Sequence, residues 1–135
     1  MAKALSALGC EGKELSVLLT DDARILRINE YYRGIKSPTN VLSFPQLEDH
    51  GPRFADHMLG DVVVSVDTAA REAVEQECSL ELMVYRLLCH GLLHLLGYDH
   101  EKTEKDAAIF FRLEESLARL QDFHAQDSPK TDGNE

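Results

Sequence analysis

The apolar positions of this chain change period several times, and each change marks an element. Ala4, Leu5 and Leu8 share one helical face, and Gly9 stops that helix. In Glu14–Thr20, Leu15, Val17 and Leu19 alternate with Ser16 and Leu18, which predicts a partly buried strand. Asp21 and Asp22 supply an N-cap and negative charge for a following helix. Its inner positions are Ile25, Ile28 and Tyr32, and Arg24, Arg27 and Glu30 form its wet face. Gly34 and Pro38 punctuate a loop over residues 33–39. Val41–Phe44 is a short apolar run closed by Pro45. Residues 46–57 are polar and aperiodic and read as a mobile loop, whereas residues 61–66 read as a central strand.

The second half reads as helices. Asp67 is expected to cap one that runs to about Glu77, with Ala70, Ala73 and Val74 inward. Ser79 opens the next, with Glu77 and Glu81 near its positive end. Leu87, Leu88, Leu92, Leu93, Leu95 and Leu96 make this helix apolar nearly all round, so it should be buried. Thr103 and Asp106 have the spacing of a capping box, and Phe110, Leu113, Leu117 and Leu120 line the face of a last helix. Strands set among helices, without strict alternation, predict an α+β fold: a small mixed sheet packed with helices. Residues 1–120 form one domain on this reading, and residues 121–135 a disordered polar tail.

Composition narrows the class. No apolar run is long enough to span a membrane and no leader pattern opens the chain, which predicts a soluble, cytoplasmic protein without a membrane partner. Cys10, Cys78 and Cys89 are odd in number and unpaired in spacing, which argues against a disulfide scaffold. Cys89 reads as a core residue. The net charge of −10 excludes a broadly basic nucleic-acid surface. The surplus is uneven: residues 1–60 hold seven Lys/Arg against eight Asp/Glu, and residues 61–135 seven against sixteen. Any nucleic-acid contact should be local and in the first half.

Chemistry concentrates in His90-Gly-Leu-Leu-His94-Leu-Leu-Gly-Tyr-Asp-His100. His90 and His94 share a helix face at i, i+4. Gly97 is the residue type that ends a helix in a left-handed turn, and the chain would then bring His100 back to the pair. Three imidazoles without a fourth protein ligand are the pattern of a catalytic zinc, one Zn²⁺ per chain. A lone histidine on an apolar helix is usually a core residue; three in this arrangement favour metal. His50 and His57 are isolated and read as non-ligands. A protease zinc helix has glutamate directly after its first histidine, as the base. Here that residue is Gly91, which argues against ordinary peptide hydrolysis.

The histidine block resembles the signature of the YbeY family of endoribonucleases, which act in ribosomal RNA maturation. Two further blocks resemble the same family: Asn29-x-x-Tyr32-Arg33-Gly34 with Pro38-Thr39-Asn40-Val41-Leu42-Ser43-Phe44-Pro45, and Leu59-Gly60-Asp61-Val62-Val63-Val64-Ser65. The matches run in family order from about Leu15 to Leu120. The resemblance implies a zincin-like arrangement around a central buried helix. It implies a single-strand-specific endoribonuclease acting on the 3′ end of 16S rRNA and in ribosome quality control, with the small ribosomal subunit as partner and no DNA. It places the family's functional arginine at Arg33, and Thr39 and Ser43 on the cleft. The family fold also opens with a strand ahead of the first helix. The sequence given has no room for one: either it is shortened or the strand is absent, which puts one sheet edge in question.

Several roles stay open on the residues alone. Arg33 and His94 are the catalytic candidates; taken alone Arg33 reads as a surface salt-bridge residue, and the family resemblance reverses that, a guanidinium being able to fork onto phosphate oxygens while keeping its charge. Asp99 either fixes a histidine tautomer or caps the turn. Arg86 either reaches substrate or pairs with Glu81 or Asp61, the pairing being favoured. Two other functions compete: a metallohydrolase of peptides or small molecules, with Asp61 or Asp99 as base, and a non-catalytic ribosome-assembly factor. In the latter a fourth ligand such as His57 closes a structural zinc.

Overall fold

The computed structural model describes residues 1–45 and 58–127, with side chains through Leu120. Among these residues the order is α1 (Ala2–Ala7), β1 (Glu14–Thr20), α2 (Asp22–Arg33), β2 (Val41–Phe44), β3 (Met58–Ser65), α3 (Val66–Glu75), α4 (Leu80–Leu95) and α5 (Glu104–Asp127). The expected α+β class with a small mixed sheet is what forms. Strand β3 is central, parallel to β1 (Leu18 beside Val63) and antiparallel to β2 (Leu42 beside Val63). The aperiodic stretch 46–57, including His50 and His57, and residues 128–135 lie outside the described residues. Helix α5 continues to Asp127, past the point where the sequence turns polar.

Burial explains why α4 is apolar on all sides. Val62 and Val64 face α3 and α4, packing with Ala69, Ala73, Met83 and Leu87. On its other side α4 presents Cys89 and Leu93 to Ala4 of α1 and to Phe110 and Leu117 of α5. The opposite sheet face packs Val63 and Leu42 on Ile25 of α2. Helix α4 approaches the sheet closely at Gly91, where a Cβ would lie 2.8 and 3.1 Å from the methyl groups of Val62. Gly60, at φ +148°, is likewise required: a side chain there would collide with the carbonyl oxygens of Phe44 and Pro45.

Four local expectations need correction. Val17 and Leu19 are exposed, while Leu18 packs on the α2 side, with β1 at the edge of the sheet that the described residues form. Val74 is 78% exposed; Ala69 and Ala73 fill the contact instead. Tyr32 is 47% exposed, and its expected place in the α2 core is held by Asn29, whose Nδ2 donates to the Ser37 carbonyl at 3.0 Å. The cap of α3 is Ser65, not Asp67.

The two helix starts cap one another. Asp67 accepts from the Asp22 amide (3.1 Å), and the Asp22 carboxylate accepts from Ser65 Oγ, Thr68 Oγ1 and Arg71. Those bonds, from Ser65 first, lower the Asp22 pKa to about 2. Asp21 and Ser79 cap α2 and α4 as the sequence suggests, accepting from the Arg24 and Leu82 amides.

Candidate metal centre and cleft

Helix α4 delivers two imidazoles to one place because they are four residues apart. His90 Nε2 and His94 Nε2 lie 3.2 Å apart. After Leu96 the chain turns through Gly97 at φ +97°, with the Tyr98 amide on the Leu93 carbonyl, and returns His100 to the pair. One nitrogen from each of the three rings falls within 4.8 Å of the others, the only such group of possible metal ligands among the described residues. Phe110 of α5 is the floor, its ring centroid 5.0, 5.1 and 4.9 Å from those of His90, His94 and His100.

The donor set fits a cation. Burial, then the neighbouring His90 and His100, hold His94 below its usual pKa, in the neutral form a metal needs. His100 Nδ1 is buried with no hydrogen-bond partner among the described residues, a polar atom that a bound ion would satisfy. His90 Nδ1 meets Glu114 Oε2 at 2.6 Å. An ionised carboxylate only accepts, so it draws the proton to Nδ1 and leaves the Nε2 lone pair facing His94. Sequence spacing did not reveal Glu114. It lies 24 residues away, and only the packing of α5 on α4 selects it from the several glutamates of α5. Glu114→Gln keeps an acceptor but removes the charge. It is expected to weaken metal-ion binding by about 10–100-fold in competition with a chromogenic chelator, and an unchanged affinity would show that the carboxylate does not orient His90.

The histidines open onto a cleft of 780 Å³. One wall comes from α2, β2 and the loop between them, with Tyr32, Arg33, Thr39, Asn40, Ser43 and Phe44. The other comes from α4 and the turn after it, with His90, His94, Asp99, His100 and Lys102. So Arg33, Thr39, Ser43 and Asp99 all share the cleft with the three histidines. Asp99 also accepts from the Glu101 amide (2.8 Å), the turn-capping alternative. Asp61 does not line the cleft; it sits on β3 between Ser16 and Phe44. The favoured pairing of Arg86 is not what holds it. Its Nε is buried without a hydrogen-bond partner among the described residues, and it lines a separate 460 Å³ cavity behind His90 with Glu72, Glu75, Glu114 and Glu115. Cys89 is a core residue, its thiol pushed up to about 11 by burial.

These features define a class: a small α+β protein whose buried helix gathers three imidazoles at the base of an open cleft, able to hold a metal ion. The model of the family described as Endoribonuclease YbeY matches residues 1–121. A protein named Endoribonuclease YbeY from Aquifex aeolicus is 52% identical over 111 residues, 82% of this chain and 72% of that protein. One of the same name from Sulfurihydrogenibium is 48% identical over 115 residues, 85% of this chain and 74% of its own length. The solution structure of a Thermotoga maritima protein superposes with a TM-score of 0.61, at 24% identity, over 98% of this chain and 92% of that one, which shows a shared fold. The chain belongs to the YbeY family.

Proposed function

We propose that this protein is a zinc-dependent, single-strand-selective endoribonuclease that hydrolyses phosphodiesters near the 3′ end of 16S rRNA. On this reading it serves ribosome maturation and quality control in the cytoplasm, with the small ribosomal subunit as partner. The observation that carries the reading is the placement of Arg33 on the same cleft as His90, His94 and His100. The relatives' name, Endoribonuclease YbeY, supports RNA as the substrate.

His90, His94 and His100 would hold one Zn²⁺. A bound zinc would polarise a phosphoryl oxygen and acidify a water. Arg33 binds the non-bridging phosphate oxygens and stabilises the added negative charge of the pentacovalent transition state. Thr39 and Ser43 line the same cleft, and their hydroxyls donate to the same phosphate or its ribose on this reading. Glu114 holds the His90 proton on Nδ1, and Phe110 keeps water from beneath the rings. No helix among the described residues is long and apolar enough to cross a membrane, in keeping with an RNA substrate in the cytoplasm.

The test is metal removal. Protein stripped with a chelator is expected to lose cleavage of single-stranded RNA and regain it with zinc, leaving duplex RNA and peptides uncut. Peptide cleavage without RNA cleavage would select the general metallohydrolase. Zinc-loaded protein that binds ribosomal subunits and cuts nothing would select the assembly factor.

A further inference from the structure

Three of the four tyrosines gather at or beside the cleft, although the fold does not need them there. Tyr32 lies at the inner-face spacing of α2, yet it is 47% exposed and lines the cleft. Tyr31 is 81% exposed and stands edge-on to it, ring centroids 4.7 Å apart at 83°. Phe44 of β2 flanks Tyr32 at 5.2 Å. Tyr98 lines the cleft from the turn after α4. Wetting a large ring that the helix could have buried is unfavourable. A place where the apolar pattern fails beside a reactive centre marks a surface kept for a ligand.

The chemistry of that ligand follows from the neighbours. Arg33 comes directly after Tyr32 in the last turn of α2, so a phosphate clamp and a flat aromatic face are adjacent on one wall. Asn29 fixes the loop that follows through the Ser37 carbonyl, holding the wall in shape. A chemical group that offers an anionic ester beside a planar ring is a nucleotide. The geometry points to Tyr32, braced by Tyr31 and Phe44, as a stacking platform for an unpaired nucleobase next to the phosphate that Arg33 holds. This rests on the endoribonuclease reading and deepens it, because stacking needs a base free of its pairing partner. Selection against duplex then comes from Tyr32.

The test is equilibrium binding to the zinc-loaded protein. The probes are a short nuclease-resistant 2′-O-methyl oligouridine and an abasic strand of equal length and charge. Tyr32→Ala is expected to weaken the base-bearing strand by about tenfold and leave the abasic strand unchanged. Tyr32→Phe should bind both as the parent does, and Arg33→Ala should weaken both alike. Equal losses on the two strands for Tyr32→Ala, or no loss on either, overturn the platform while leaving the nuclease reading intact. A parent that binds neither strand and cuts no RNA overturns both.

Discussion

Exchanging His94 for alanine is expected to remove the metal and RNA cleavage together. His94 is the middle of the three rings in sequence, with one neighbour on its own helix face and the other across the turn. Two remaining imidazoles, four and six residues from the gap, would leave a cation with two protein ligands. The loss in affinity should exceed the roughly 10–100-fold that follows removal of an outer hydrogen-bond partner. The helix itself should survive, because alanine favours it and the buried leucines around it are untouched. Metal content after desalting, a circular dichroism spectrum and cleavage of single-stranded RNA together separate these effects. A His94→Ala protein that retains both metal and activity would dismiss the three-histidine centre.

Arg33→Ala is expected to do the opposite to the metal and nearly the same to the reaction. Arg33 is exposed at the end of α2 and is followed by Gly34, the left-handed cap at φ 71°. Removing an exposed side chain there should alter stability by no more than about 0.5 kcal/mol. The metal ion should stay bound, since Arg33 is not among the residues that converge on one point. Cleavage should fall by about 10²–10³-fold, the usual effect of deleting one group that meets charge developing in a transition state. Arg33→Lys should recover only part of this, because an ammonium lacks the two-pronged fit to phosphate oxygens. Full activity in Arg33→Ala would move the proposed phosphate clamp elsewhere, Lys102 being the other Lys or Arg on the cleft among the described residues.

The centre was legible in the chain because its spacing is local. Four residues of helix and one glycine turn are enough to bring three histidines together, and no distant contact has to be known. The mixed sheet was legible in outline for a similar reason: Val62, Val63 and Val64 form a run that only a strand buried on both faces can use. What the pattern could not supply is which neighbour covers which face. Val17 and Leu19 alternate as a buried strand should, but nothing local says that they stay exposed at the edge of the described sheet. Asp67 sits where a cap for α3 belongs, and was displaced from that role by Ser65 because two helix starts meet there. Glu114 was invisible for the same reason: its partner is chosen by helix packing, not by sequence distance.

The tight seat of Gly91 on Val62 has a consequence for chemistry as well as for packing. A carboxylate grafted at position 91 to mimic a peptide-cleaving helix would meet the methyl groups of Val62 with its first carbon, 2.8 Å from one of them. A side chain at position 91 therefore requires Val62 or the helix backbone to shift first.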